Sequence, residues 1–100
     1  MALDIEWLSP TRDTTAISQL FPRCEQGLSR TDFYLYWTQK EALAKVLGMS
    51  INEVIARPVK RLAQQHDLTF ISGIEGEYVW SVAIPCSADI KIDTQLSKLP

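Results

Sequence analysis

The chain has 100 residues, 46% apolar and 22% charged, which is the balance of one globular domain and excludes wholesale disorder. A net charge of −2 excludes a polybasic protein that adheres to any anionic surface, though not a protein with one basic face. Two cysteines and one histidine are too few for a disulfide scaffold or a zinc site, no apolar run is long enough to span a membrane, and the first residues lack a secretory pattern, so a small, soluble, cytoplasmic domain is expected.

Leu3 to Leu8 alternate imperfectly between apolar and acidic residues, which fits a short strand or a docked arm. After the turn at Ser9, Pro10 and Thr11, the residues Ala16, Ile17, Leu20 and Phe21 fall on one helical face and predict a helix from Arg12 to Phe21, stopped by Pro22. Residues 22–31 read as a loop. The aromatic run from Asp32 to Trp37 predicts a short strand. Thr38 and Glu41 have the spacing of a capping box, opening a helix with Leu43, Val46 and Leu47 on one side and Gly48 at its end. Ser50 is the next N-cap, before a helical pattern from Ile51 to about Gln65 that Pro58 interrupts, either as a kink or as a break and restart. Leu68 to Ser72 and Tyr78 to Ile84 predict two strands around a hairpin turn at Gly73 to Glu77. Beyond Pro85 the tail alternates at Ile90 to Asp93 and then becomes polar.

The most informative stretch runs from Leu43 to Val54. Ala44 is small where two helices would cross, Gly48 permits a left-handed turn, and Leu43, Leu47 and Val54 can fill the wedge between the helices. This looks like a helix-turn-helix motif. With the strand before it and the hairpin after it, the segment 11–84 resembles a winged helix-turn-helix domain, flanked by an N-terminal arm or strand (1–10) and a C-terminal tail (85–100). The resemblance implies an α+β fold in the order helix, short strand, helix-turn-helix, β-hairpin wing. It further implies a small DNA-binding transcriptional regulator that lays the helix 51–65 in the major groove of double-stranded DNA, as a homodimer. The positions that would carry contacts are Ser50, Asn52, Glu53, Ala56 and Arg57, with Gln39, Lys40, Lys60 and Arg61 beside them. An asparagine can pair with an adenine edge and an arginine with a guanine edge. Charge agrees: Thr38 to Gln65 holds five basic and two acidic residues, +3 in a chain of −2, leaving −5 for the rest.

Other features point elsewhere. The expected wing holds Glu75 and Glu77 and no basic residue, Pro58 disturbs the recognition helix, and Ile51 and Ile55 widen its apolar arc. These suit a winged-helix module that binds another protein. Several of the same residues have purely structural roles open to them: Glu53 and Arg57 as a surface ion pair, Asn52 as a cap, Tyr34, Tyr36, Trp37 and Trp80 as core, His66 at a helix C-terminus. Trp7, near the chain start, can dock on a partner or on the domain itself. No phosphate loop, metal cluster or nucleophile elbow is present in the sequence, so no catalytic activity, metal or cofactor is expected.

Overall fold

The computed structural model describes residues 1–86; the expected alternation at Ile90 to Asp93 and the rest of the tail lie outside the described residues. The elements are β1 (Ala2–Trp7), α1 (Thr15–Ser18), a 3-10 turn (Arg23–Glu25), α2 (Arg30–Leu47), α3 (Ile51–Val54), α4 (Val59–Gln65), β2 (Leu68–Glu75) and β3 (Tyr78–Pro85). The fold is α+β. Its antiparallel sheet has the order β1-β3-β2, with β3 central. One face of the sheet is covered, by α2 over β1 and β3 and by α4 against β2.

The aromatic run expected as a strand is instead the start of the longest helix. Ser29 is its N-cap, accepting a hydrogen bond from the Asp32 amide at 3.2 Å. Phe33 and Trp37 then lie one turn apart and stack with Phe21 into a single aromatic layer. Aromatic β-propensity expresses packing against a half-buried surface, and a helix face laid on a sheet offers the same environment. Thr38 is therefore no cap. Its hydroxyl donates to the Leu35 carbonyl at 2.9 Å and pairs with Ser81 at 2.7 Å, and Ser81 pairs with Ser72 at 2.8 Å. This chain of hydroxyls keeps the buried helix–sheet contact hydrogen-bonded and ties α2 to both hairpin strands.

Other boundaries shift for local reasons. The helix expected from Arg12 to Phe21 contracts to α1, where the Asp13 carboxylate accepts from the Thr15 amide at 2.9 Å; Ala16 and Leu20 are exposed, and Phe21, beyond the helix, is buried. Gly48 ends α2 in the left-handed conformation (φ 65°), as its position implied. Ser50 opens α3 in a reciprocal capping box with Glu53. The segment 51–65 is not one helix. It breaks, and Pro58 stands as the N-cap of α4 with an extended ψ of 123°. The hairpin is tighter than expected: β2 continues to Glu75, and only Gly76, at a positive φ of 58°, and Glu77 form the turn.

Two apolar clusters share α2. Leu43 and Ala44 pack with Val54, Val59, Leu62 and Ala63, so the wedge between α2 and the next two helices is filled much as the motif suggested. Phe21, Phe33, Tyr34, Ile55 and Val79 form the second cluster. Between the clusters lies a buried ion pair. Lys40, fully buried in the middle of α2, approaches the Glu25 carboxylate at 2.6 Å and donates to the Arg57 carbonyl at 2.7 Å. The other Glu25 oxygen accepts from the Val59 amide at 2.7 Å, which supplies the cap that Pro58 cannot. The Lys40 ammonium also lies 4.8 Å from the centre of the Phe21 ring. Removing one partner strands a buried charge, so Lys40→Met should lower stability by about 3–5 kcal/mol. A urea melt reads this directly; a variant as stable as the parent would show that the pair is dispensable.

Candidate functional site

The site follows from how β1 is turned. Its alternation is placed with the carboxylates inward. Asp4 is buried and takes a salt bridge from Lys45 of α2 at 3.1 Å, and the Glu6 carboxylate accepts from the Trp37 indole at 3.3 Å. A strand that commits one parity inward sends the other outward. Leu3 (48% exposed), Ile5 (54%) and Trp7 (49%) therefore stand on the uncovered face. Register with β3 sets them beside Val82, Trp80 and Tyr78 respectively, and Tyr78 is itself 51% exposed. The result is a shallow apolar concavity of about 650 Å³ lined by Leu3, Ile5, Glu75, Tyr78, Trp80 and Val82. Trp80 forms its floor by lying over Gly73 of β2. A Cβ at Gly73 would come within 2.7 Å of the indole ring, so glycine here is what lets the ring lie down. Further along the same side of β3, Ile84 is buried, which bounds the open region.

The free edge of β1 is guarded. Lys45 also donates to the Leu3 carbonyl at 3.0 Å, placing a cation against that strand's backbone. A lysine at a strand edge discourages edge-to-edge pairing there; β2 forms the other edge of the sheet.

The residues expected to touch DNA are scattered by the structure. Lys40, expected at the DNA surface, is instead fully buried on Glu25 and cannot reach a phosphate. Gln39 is half-buried and donates to Ser72 at 3.4 Å, toward the sheet. Ser50 and Glu53 are engaged with each other; the Glu53 carboxylate accepts from the Ser50 amide at 2.8 Å and forms no ion pair with Arg57. Ile55 joins the core and Ile51 is half-buried, so the wide apolar arc is largely used by the fold itself. Asn52, Ala56, Arg57, Lys60 and Arg61 remain exposed. Among the described residues, Arg57, Lys60 and Arg61 form no ion pair; Arg57 and Arg61 border one concavity with Pro58, Leu62 and Gln65, and Lys60 borders another toward β2. Among the described residues, no group of three or more His, Cys, Asp or Glu is placed to hold a metal ion, and no helix is long and apolar enough to cross a membrane.

No protein-family model, curated protein or solved structure matches the chain. The functional reading rests on the geometry alone.

Sequence reasoning left Trp7 to dock on a partner or on the domain itself and missed the face to which it belongs. The alternation from Leu3 to Trp7 was visible; which parity faces inward depends on Lys45 and Trp37, about 30 to 40 residues away.

The inward carboxylates have a measurable consequence. Burial raises the Asp4 pKa above its ordinary 3.8, partly offset by Lys45, and burial together with the nearby Asp4 and Glu6 raises Glu41 above 4.5. An acid whose folded pKa is raised binds its proton more readily in the folded state, so these two groups penalise folding at neutral pH. That penalty fades as pH falls through their raised values toward 4.5 and 3.8. The melting temperature should therefore gain on mild acidification from pH 7, and Glu41→Gln should raise it at neutral pH and reduce the gain. A parallel pH series on both proteins checks this; equal profiles would show that Glu41 carries no such penalty.

Proposed function

We propose that this chain is a small interaction module, acting in the cytoplasm, that docks a protein partner on the open face of its sheet. The observation that supports this is the inverted edge strand: β1 turns Asp4 and Glu6 toward the helix and Leu3, Ile5 and Trp7 toward solvent. A strand serving only its own core would be turned the other way. Taking about 150–250 Å² for each aromatic side chain, the exposed halves of Trp7 and Tyr78 alone give roughly 200 Å². With Leu3, Ile5, Trp80 and Val82 the patch reaches roughly 500 Å², the size at which exposed apolar surface marks an interaction site. The winged-helix likeness is kept in this reading as scaffold: α2, the Gly48 turn, α3 and the hairpin follow the expected order, and the hairpin is a short acidic turn.

The triple replacement Leu3→Thr, Ile5→Thr and Val82→Thr should leave the fold in place, with a melting temperature within a few degrees of the parent. It should abolish binding of an apolar dye such as anilinonaphthalene sulfonate to the folded protein. Unfolding of the triple variant, or a folded parent that binds no dye and never associates, would overturn the reading.

A second reading, double-stranded DNA binding by a winged-helix regulator, is favoured by the uncompensated cations Arg57, Lys60 and Arg61 beside the exposed Asn52. It now lacks Lys40 and a continuous recognition helix. If all three cations meet phosphates, log K against log salt should fall with a slope near −3 per protomer, at about −0.9 for each contact. Fluorescence anisotropy on a randomised duplex reads this, and no binding at low salt removes the DNA reading.

A further inference from the structure

We propose that the outer edge of β2 takes up an extended segment of a partner protein, which joins the sheet as a fourth strand and sets every second side chain into a groove between that edge and the helices. The edge is distinct from the open face, and the inference stands without the reading above.

The backbone dictates an extended occupant. β2 pairs with β3 alone, and among the described residues no hydrogen bond from any other element reaches its backbone. Residues of an antiparallel strand direct their N–H and C=O groups alternately to the two sides, so every second residue of β2 presents a donor and an acceptor outward. Edges are ordinarily blunted by proline, lysine or a bulge. Leu68 to Glu75 contains no proline and no basic residue, and its register with β3 is unbroken over eight residues. β1, by contrast, has Lys45 on its Leu3 carbonyl. A row of alternating donors and acceptors is matched by another backbone in extended form.

The groove dictates the side chains. Two hollows follow the covered side of β2. One, of about 160 Å³, lies between Lys60 and Gln64 of α4 and Leu68 and Phe70 of β2. The other, of about 350 Å³, lies between Leu35 of α2 and Ile74 and Val79 of the hairpin. Ile74 stands opposite Val79, which is fully buried, and cross-strand partners share a side of the sheet. Ile74 is nevertheless 55% exposed, because α2 lies over β1 and β3 rather than over this end of β2. An added strand alternates likewise, so apolar residues at every second position fill the hollows beside Phe70 and Ile74. Charge sets the direction. Lys60 borders the groove at the Leu68 end, Glu75 and Glu77 stand at the other, and among the described residues none of the three forms an ion pair. The complementary strand is acidic beside Lys60 and basic beside Glu75. Run antiparallel to β2, the more stable pairing, it is basic at its N-terminal end and acidic at its C-terminal end.

The test is hydrogen exchange of the full chain, read by NMR, with and without the synthetic peptide acetyl-Lys-Val-Thr-Val-Thr-Val-Thr-Glu-amide. In the protein alone, the outward amides of β2 should exchange much faster than those of β3. The peptide, at up to about a millimolar, should slow them about tenfold, the effect of a roughly tenfold excess over the dissociation constant. Ile74→Lys, at an exposed position, should match the parent by circular dichroism and lose the protection. Lys60→Glu should weaken binding of this peptide and strengthen binding of one that ends in lysine instead of glutamate. Leu3→Thr, Ile5→Thr and Val82→Thr together should leave the protection intact, which separates the edge from the open face. No protection by the peptide, equal protection in Ile74→Lys, or its loss in the threonine variant overturns the assignment. So does slow exchange of the outward amides without peptide: at every concentration it shows the edge covered by the chain's own remaining residues, and growing with protein concentration it shows a second copy there.

Discussion

The buried contact between Lys40 and Glu25 holds the helical layer in its arrangement. Four segments meet there: the 3-10 turn that carries Glu25, the middle of α2, the Arg57 carbonyl at the end of the α3 region, and the first amide of α4. Pro58 has no side chain with which to cap α4 and no amide to continue α3, so the break it causes would leave buried backbone groups unpaired. Glu25 satisfies one side of that break and Lys40 the other. Each charge also completes a backbone hydrogen bond, which offsets part of the cost of burying it. Burial opposes the ammonium and pulls the Lys40 pKa down, while the Glu25 carboxylate works against that pull.

That clamp fixes where α2 lies, and α2 in turn fixes the sheet. Its aromatic layer and its hydroxyl contact with Ser81 set the register of β3, and its Lys45 and Trp37 draw the acidic side of β1 inward. The outward apolar face is thus a consequence of polar attachments beneath it. This is why the open face is read as functional rather than as leftover surface: Asp4 and Glu6 hold β1 in the orientation that exposes Leu3, Ile5 and Trp7.

Some of this was legible in the sequence and some was not, for reasons that differ by residue. Gly48 and Ser50 announced themselves because a helix stop and a helix start are local chemistry, and the hairpin strands stood out by β-branched and aromatic density. The break at Pro58 was readable as one of two outcomes; choosing between them required Glu25, 33 residues earlier in the chain. The run from Phe33 to Trp37 was misread because aromatic residues favour whichever element lets them stack, and their partner, Phe21, is not in the same segment. Lys40 looked like a surface cation because lysines almost always are, and only its partner reveals otherwise. The helix-turn-helix pattern was sound as packing, in Leu43, Ala44 and Val54, while the contact positions it implied divide into caps, core and a small exposed basic group.

The two surfaces that remain, an apolar face and a basic junction, constrain one another through their placement. Phe70 packs into the cluster formed by α2 and α4 and pairs with the inward Ala83, so the helices and the cations they carry lie on the covered side of the sheet. Any phosphate contact made by Arg57, Lys60 and Arg61 draws on at most three cations per protomer. Three contacts give weak, salt-sensitive attachment rather than selective reading of a site. The two surfaces lie on opposite sides of the sheet, so a partner held on the apolar face would leave Arg57, Lys60 and Arg61 uncovered.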